Sequence, residues 1–208
     1  MKKIKAVIFD MDGVLIDAVG WHYEALNKSL SLFGYNISES EHKYSFDGLP
    51  TSVKLEKLSR ERNLPEKLHS FINEMKQAYT IEYIYKYCRP IFAHEYALTK
   101  LKHNGYKIGL ASNSIKKTIE IMMRKANLMS FFDVTLSNQD VEKAKPDPEI
   151  YIKTMSLMNL SPCECLILED NENGIKAAVD SGGHVLKISS IWNVNYLNIA
   201  NKISQIEN

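Results

Sequence analysis

Two aspartates, Asp10 and Asp12, stand directly after an apolar run in the stretch VIFDMDGVL. Such a run is typical of a buried strand, and in an open α/β sheet ligands bind beyond the carboxyl ends of the strands. Two unpaired carboxylates this close repel each other, and a bound cation would relieve the repulsion. One carboxylate can then contact the metal while the other donates or accepts a proton. Gly13 directly after Asp12 allows a tight bend that would let the two carboxylates take these separate roles. A polar turn is the alternative.

Three other stretches place polar residues of matching chemistry after apolar runs. Ser112, in LASNS, ends a run before a helix, where hydroxyls and backbone N–H groups hold anions. Lys145, in KAKPDPEIY, precedes a proline-directed turn into another helix, a fixed position for a cation that faces a phosphate. The run CLIL leads to Glu169 and Asp170, hard oxygen ligands that suit Mg²⁺. The sequence therefore predicts a site for Mg²⁺ and a phosphate.

The elements that position these residues are short apolar runs that alternate with helical periodicity. This alternation is typical of βα units that build a mostly parallel sheet. A helix is predicted after Ser114, with that serine as its N-cap. The predicted strands are a run ending at Phe9, a run ending at Ala111, and residues 133–136, 165–168 and 184–188.

The segment from Asp17 to Cys88 differs, because helical patterns follow one another there without a convincing strand run. We therefore predict an all-helical insert after the first strand. Charged residues of the insert such as Lys54 and Lys76 usually form a solvated face, and the sequence does not decide whether either meets a ligand. One apolar stripe of the insert consists of Leu68, Phe71, Ile72, Met75 and Tyr79.

Composition narrows the classes of partner. Lys and Arg total 26 against 25 Asp and Glu, for a formal charge of +1, which gives no basic field for nucleic acid or an anionic membrane. A small-molecule partner is expected, and the chain is expected to act as a monomer. No apolar segment approaches the length of a membrane span, and the start MKKIK does not lead into a signal-peptide core, so a cytoplasmic protein is expected.

The cysteine count indicates reduced thiols. Cys88, Cys163 and Cys165 make an odd number without a CxxC pair, so neither a disulfide framework nor a zinc knuckle is indicated. The two cysteines at 163 and 165 lack further soft ligands nearby and are interpreted as part of a strand entry.

Taken together, VIFDMDGVLID, LASNS, KPDPEIY and LILEDNENGIKAA resemble the ordered motifs of the haloacid dehalogenase-like hydrolase superfamily. The resemblance covers essentially the whole chain. Within the superfamily, the pattern H-x-x-A at His22 and Ala25 is similar to the β-phosphoglucomutase-like and sugar-phosphate phosphatase group. The resemblance implies a Rossmann-like parallel sheet with helices on both faces, in residues 1–16 and 89–208, and a small helical cap in residues 17–88.

The resemblance also implies a reaction. Asp10 would attack phosphorus to form an aspartyl-phosphate, and Asp12 would protonate the leaving oxygen and then activate water. An acid at position 12 is typical of the phosphate-ester enzymes of the superfamily, and not of its dehalogenases. The cofactor would be Mg²⁺, held by the Asp10 carboxylate, the backbone carbonyl of Asp12 and Asp170, with Glu169 either a direct ligand or a neighbour of one.

By the same resemblance, the transferring phosphoryl group would be bound by Ser112, Asn113 and Lys145, which offset its charge. The substrate would be a small phosphorylated metabolite, with a sugar phosphate expected.

The predicted cap is where the resemblance weakens. The stretch FDGLPTS looks like the cap loop of the family, and Gly48 and Thr51 in it are candidate substrate contacts. Mutases of the group commonly have an arginine shortly after this glycine, and Pro50, Thr51 and Ser52 stand there instead. His22 either orients the second aspartate or only packs at the start of its helix.

Three functions therefore remain open. The favoured one is an Mg²⁺-dependent phosphatase. An isomerase of the β-phosphoglucomutase type would use the same aspartyl-phosphate, and the missing arginine counts against it. A non-catalytic sugar-phosphate-binding protein would predict damaged motifs, and none of the motifs quoted above is damaged.

Overall fold

A computed structural model describes residues 3–208 of the chain; Met1 and Lys2, which belong to the start MKKIK and to the predicted segment 1–16, lie outside the described residues. The strands are β1 (Ala6–Phe9), β2 (Lys107–Ala111), β3 (Val134–Leu136), β4 (Cys165–Glu169) and β5 (His184–Lys187). They form a sheet in the order β3-β2-β1-β4-β5, and every neighbouring pair runs parallel. The predicted parallel sheet is confirmed, and each observed strand lies within one residue of its predicted bounds.

The α-helices of residues 3–208 separate the strands as the alternating pattern predicts. They are α1 (Val19–Ser31), α2 (Glu39–Glu41), α3 (Thr51–Arg62), α4 (His69–Tyr87), α5 (Phe92–His103), α6 (Lys116–Lys125), α7 (Glu149–Leu157), α8 (Glu172–Asp180) and α9 (Tyr196–Glu207). A single π-helical turn, His42–Phe46, follows α2. Residues 17–88 contain helices and no strand of the sheet.

Both faces of the sheet are buried, which explains why its strands are continuously apolar and do not alternate with polar residues. Successive side chains of β1 point to opposite faces, so Val7 and Phe9 join one hydrophobic cluster while Ala6 and Ile8 join another. The first cluster includes side chains of α5, α6 and α9, and the second includes side chains of α7 and α8. The central strand is thus fixed from both sides, and its carboxyl end has a defined position.

The helical segment has a hydrophobic cluster of its own. Its buried members are Leu26, Leu30, Ile37, Phe46, Leu55, Leu58, Leu64 and Ile72. All of them lie within residues 17–88, in line with the predicted insert. The exact division into residues 1–16 and 89–208 on one side and 17–88 on the other stays a prediction.

The apolar stripe predicted on α4 is wrong in part, because Phe71 is 47% exposed. The buried face of α4 instead follows the spacing i, i+4 through Ile72, Lys76, Thr80 and Ile84. Such a row faces one direction on a helix. It contains a lysine and a threonine, so the assumption that charged residues of the insert face solvent fails for Lys76.

Two further expectations concern thiols and membranes. All three cysteines are free thiols, and Cys165 is buried at the start of β4. Within residues 3–208, no helix combines the length and the apolar composition that crossing a bilayer requires.

The packing predicts the cost of opening a cavity in the core. Ile167 lies at the middle of β4 with no exposed surface, so Ile167→Ala is expected to lower the free energy of unfolding by about 2–5 kcal/mol. Ile152 on α7 is 48% exposed, and Ile152→Ala is expected to change it by less than about 0.5 kcal/mol. Urea unfolding of both variants measures the difference. Equal losses would contradict the assignment of β4 to the core.

Candidate active site

The polar residues predicted to form a site meet at the carboxyl edge of the sheet. In the register of the sheet, Phe9 of β1 pairs with Leu110 of β2 on one side and with Leu168 of β4 on the other. The residue after Phe9 is Asp10, so its carboxylate emerges between the ends of two strands. The topology therefore brings together side chains that lie far apart in the sequence.

Lys145 connects three of these chain segments. Its ammonium donates to Asp10 Oδ1 at 2.7 Å, to Glu169 Oε1 at 2.6 Å and to the carbonyl of Ala111 at 2.8 Å. The side chain is 3% exposed. Burial opposes the charge, but the two carboxylates raise the pKa of Lys145 above its ordinary value. Lys145 is therefore a fixed ammonium beside Asp10.

Asn113 fixes the backbone of Lys145. Its amide nitrogen donates to the carbonyl of Lys145 at 3.1 Å and to the carbonyl of Gly48 at 2.7 Å, and its oxygen accepts from the Lys145 N–H at 3.1 Å. Because the side-chain amide is bonded to backbone groups, any direct contact of Asn113 with a phosphoryl group would come from its own backbone N–H. Ser112 is 1% exposed at the end of β2 and lines the same cavity as Asp10.

A cluster of carboxylates provides the oxygen donors that Mg²⁺ prefers. Asp10, Glu169 and Asp170 each offer an oxygen atom, and these atoms lie within 4.8 Å of one another. Burial raises the pKa of Asp10 well above its ordinary value, and burial followed by the Glu169 charge raises the pKa of Asp170 to about 7. A divalent cation would remove this repulsion, so the residues fit the metal that the sequence predicts.

Glu169 is more constrained than the two aspartates. It has no exposed surface, and its Oε1 accepts from both the Tyr151 hydroxyl and Lys145. Its Oε2 accepts from the backbone N–H of Asp170 at 3.2 Å. With both oxygens engaged, Glu169 is placed to hold Lys145 in position.

Asp12 lies in different surroundings from Asp10, although only Met11 separates them. The hydroxyl of Ser114 donates to Asp12 Oδ2 at 2.8 Å. His22 Nε2 lies 3.1 Å from Asp12 Oδ1, at an angle outside hydrogen-bond geometry. Burial alone would raise the pKa of Asp12, but His22 and Ser114 hold it below its ordinary value.

His22 in turn meets Lys76 of α4, whose Nζ lies 3.2 Å from His22 Nδ1. Burial, followed by the charge of Lys76, lowers the pKa of His22, so the imidazole is neutral at pH 7. Burial, followed by the charge of Lys54, lowers the pKa of Lys76 to about 7. With Lys76 as the donor to Nδ1, the neutral imidazole would carry its proton on Nε2, which faces Asp12. The second aspartate is thus in contact with the helical segment.

The site opens into a cavity of about 160 Å³ between the sheet edge and the helical segment. Asp10, Ser112 and Lys145 line it from the sheet. From the helical segment it is lined by His22, Gly48, Thr51, Lys54 and Lys76, among others. The structure therefore brings the predicted candidates His22, Gly48 and Thr51 to the same cavity as the predicted core residues. Asp170 lines the neighbouring cavity instead, next to Gly13.

Several residues that line this cavity are not among the predicted site residues, and Ser114, Lys54 and Lys76 are three of them. Ser114 is the expected N-cap of α6, but the N-cap is Ile115, and the Ser114 hydroxyl is directed at Asp12 instead. Lys54 and Lys76 are 7% and 8% exposed, so they do not belong to a solvated face. The sequence contains a signal for the burial of these two lysines. Lys76 stands four residues after the buried Ile72, and Lys54 stands four residues before the buried Leu58, so each lies on the buried face of its helix.

Two glycines make room for the acidic side chains. Gly13 has φ +83°, and a Cβ on it would overlap the carboxylate of Asp170. A Cβ on Gly174 of α8 would overlap the carboxylate of Glu169. The bend predicted at Gly13 is therefore present, and the absence of a side chain there lets Asp170 approach β1.

Gly13→Ala is expected to reduce the activity of the site by about a hundredfold or more, because the new methyl group displaces the Asp170 carboxylate. Gly34→Ala is the matched control, since Gly34 has φ +78° and a Cβ added there would meet no atom within 4 Å. Both variants carry the same backbone strain of about 1–3 kcal/mol. Steady-state turnover of folded protein should separate them, and equal activities would refute the crowding of Asp170.

Known proteins resemble this chain over most of its length. Residues 7–188 match the family model described as haloacid dehalogenase-like hydrolase. A phosphorylated carbohydrates phosphatase of Thermotoga maritima is 29% identical over 182 residues, which cover 86% of this chain and 82% of the relative. The pyrophosphatase PpaX of Bacillus mycoides is 26% identical over 187 residues, covering 90% of this chain and 84% of the relative.

Among solved structures, the β-phosphoglucomutase of Clostridium difficile superposes with a TM-score of 0.84 at 25% identity. The superposition covers 97% of this chain and 98% of that chain. A match of this extent includes the helical segment as well as the sheet, so the similarity extends to both sides of the cavity.

Proposed function

The chain belongs to the haloacid dehalogenase-like hydrolase family, and from this premise we propose that it is an Mg²⁺-dependent phosphatase of a small phosphorylated metabolite. The observation that carries the proposal is the unequal pairing of two neighbouring carboxylates. Asp10 is paired with the fixed ammonium of Lys145, whereas Asp12 faces Ser114 and the neutral His22. One carboxylate is thus placed as a nucleophile and the other as an acid and base.

In the proposed first step, an oxygen of Asp10 attacks phosphorus, and the bond between phosphorus and the leaving oxygen breaks. Asp12 delivers a proton to that oxygen, so the dephosphorylated part of the substrate departs as an alcohol. The resting Asp12 has a lowered pKa, but an anionic phosphoryl group close to it opposes ionisation and increases its affinity for a proton. In the second step Asp12 takes a proton from water and the water oxygen bonds to phosphorus. The bond between phosphorus and the Asp10 oxygen breaks, which frees inorganic phosphate and restores the Asp10 carboxylate.

The phosphoryl group needs counter-charges and donors, and the carboxyl edge of the sheet supplies them. We assign its binding to the Lys145 ammonium, the Ser112 hydroxyl and the backbone at Asn113. Asp10, Asp170 and the backbone carbonyl of Asp12 would hold Mg²⁺, which supplies positive charge for the phosphoryl oxygens when it is bound. Glu169 then acts mainly through Lys145, which it fixes by a hydrogen bond of 2.6 Å.

Residues 17–88 are proposed to act as a cap that excludes water from the reaction. Hydrogen bonds between residues 17–88 and the rest of the chain support this role. Asn113 donates to the carbonyl of Gly48, and Asn173 of α8 donates to the carbonyl of Asp47 at 3.0 Å. The loop 47–50 is therefore bonded to the sheet edge directly above the cavity. A monomeric state and a cytoplasmic location stay predictions.

A phosphorylated carbohydrate is the substrate class that the Thermotoga maritima relative suggests, and pyrophosphate is the one that PpaX suggests. A mutase is the second candidate, because the chain superposes on a β-phosphoglucomutase over nearly its full length. Thr51 stands in the loop where mutases commonly carry an arginine, which favours hydrolysis. The intact set of acidic and basic side chains around Asp10 argues against a non-catalytic binding protein.

Asp10→Asn is expected to lower phosphate release by a factor of about 10³ or more, because the variant lacks the attacking carboxylate. Asp180→Asn, at an exposed position of α8 that pairs with Lys176, is the matched control and should retain full activity. EDTA should abolish release by the native protein, and added Mg²⁺ should restore it. Full phosphate release by Asp10→Asn in the presence of Mg²⁺ would show that the nucleophile is another group.

A second assay distinguishes the phosphatase from the mutase. The protein is incubated with Mg²⁺ and a panel of sugar phosphates that includes β-glucose 1-phosphate with a trace of glucose 1,6-bisphosphate. Free phosphate and glucose 6-phosphate are followed together. We expect free phosphate from one or a few substrates, because Thr51 lacks the charge to hold a bisphosphate for return transfer. Glucose 6-phosphate without free phosphate would establish the mutase instead.

A further inference from the structure

Tyr151 is a buried polar residue that the proposed reaction does not use. It lies in the first turn of α7 and has no exposed surface. Its hydroxyl donates to Glu169 Oε1, and the ammonium of Lys145 lies over its ring, with Nζ 4.7 Å from the ring centroid. Burial, followed by the charge of Glu169, raises the pKa of Tyr151 well above its ordinary value, so the hydroxyl keeps its proton and acts as a donor.

The hydroxyl of Tyr151 helps to fix the carboxylate of Glu169. Oε1 of Glu169 accepts from both Tyr151 and Lys145, so its two lone pairs are in use. Oε2 accepts from the backbone N–H of Asp170. The carboxylate also lies against Gly174, where an added Cβ would overlap it. Glu169 is therefore held in one orientation, with Oε1 directed at Tyr151 and Lys145.

This orientation matters because Glu169 stands close enough to the acidic cluster to serve as a metal ligand. Asp10, Glu169 and Asp170 each offer an oxygen atom, and these atoms lie within 4.8 Å of one another. An oxygen whose lone pairs already accept hydrogen bonds has none left for a cation. With Oε1 of Glu169 occupied in this way, Asp10 and Asp170 are the carboxylates of the cluster that stay available to a metal.

The number of carboxylates at a site influences which cation it prefers. Mg²⁺ requires an octahedral shell, keeps several waters and is usually bound through one or two carboxylates. Ca²⁺ takes about six to eight oxygen ligands, including carboxylates that bind through both oxygens. A third carboxylate in the shell would therefore shift the preference from Mg²⁺ toward Ca²⁺.

We propose that Tyr151 is a positioning residue for metal selectivity, whose hydroxyl keeps Glu169 bonded to Lys145 and outside the ligand shell of the metal. Tyr151 thereby raises the preference of the site for Mg²⁺ over Ca²⁺. The inference rests on the metal site of the proposed function and adds a determinant of its selectivity. Tyr151 contacts neither the metal ligands Asp10 and Asp170 nor the cavity, and it acts through Glu169.

Tyr151→Phe removes one oxygen atom and retains the ring under Lys145. Oε1 of Glu169 then has a free lone pair, and the carboxylate can turn toward the metal. Calorimetric titration of protein freed of metal with EDTA gives the affinities for Ca²⁺ and Mg²⁺. We expect the ratio of the Ca²⁺ affinity to the Mg²⁺ affinity to rise by about tenfold, the order of one hydrogen bond to a charged group.

Tyr35→Phe is the matched control, because the hydroxyl of Tyr35 donates to the carbonyl of Asn63 within the helical segment. It removes the same atom and a hydrogen bond of the same kind, and the ratio of the two affinities should stay at its native value. Circular dichroism checks that both variants are folded.

A double-mutant cycle tests whether Tyr151 acts through Glu169. Glu169→Gln has no charge to contribute to the metal, so adding Tyr151→Phe to it should leave the ratio of the two affinities unchanged. A rise of equal size in the native and the Glu169→Gln backgrounds would show that Tyr151 acts by another route, and it would overturn the inference.

Calorimetry measures metal binding without turnover, so the inference and the proposed reaction can fail separately. The expected rise in Tyr151→Phe, in a protein whose native form releases no phosphate, would support the role of Tyr151 and overturn the phosphatase. An unchanged ratio in folded Tyr151→Phe, with phosphate release by the native protein, would overturn the role of Tyr151 alone. Native protein that binds neither cation would overturn both.

Discussion

The ammonium of Lys145 is the contact on which the rest of the site depends. It joins the carboxylate after β1, the carbonyl at the end of β2 and the carboxylate at the end of β4. Breaking a buried pair of this kind by removing one partner costs about 3–5 kcal/mol, because the other charge stays buried and uncompensated. One ammonium therefore holds three strand ends together. Glu169 bonds to Lys145 and Tyr151 bonds to Glu169, so both support the site although neither lines the main cavity.

The two aspartates that follow β1 share a strand end but not an environment. Asp10 contacts only groups of the sheet edge, whereas Asp12 meets His22 of α1 as well as Ser114. Burial raises the pKa of Asp10, whereas His22 and Ser114 hold the pKa of Asp12 below its ordinary value against the effect of burial. Such a difference would allow chemically identical side chains to take the different roles proposed for them. Because His22 belongs to the helical segment, the surroundings of Asp12 depend on where that segment lies.

The sheet and its polar edge are predictable because burial on both faces requires continuous apolar runs, and the residues after them must then meet. Other features are not predictable from local pattern. Ser114 has the type of a helix cap, but its partner Asp12 stands 102 residues earlier in the sequence. Lys54 and Lys76 follow the apolar spacing of their helices, and periodicity alone assigns charged residues to solvent. Their burial depends on a cavity that only tertiary packing creates.

The loop above the cavity is attached to the sheet edge by its main chain. Asn113 and Asn173 bind the carbonyls of Gly48 and Asp47, and a carbonyl is present whatever side chain its residue bears. In this short segment, backbone carbonyls hold the loop to the sheet edge, while side chains line the cavity. Substitutions at Leu49, Pro50 or Thr51 can change the shape and charge of the cavity wall while the two anchoring bonds persist. A fold built in this way can change the wall of its cavity by drift at a few positions, without first losing the bonds that hold the loop over the site.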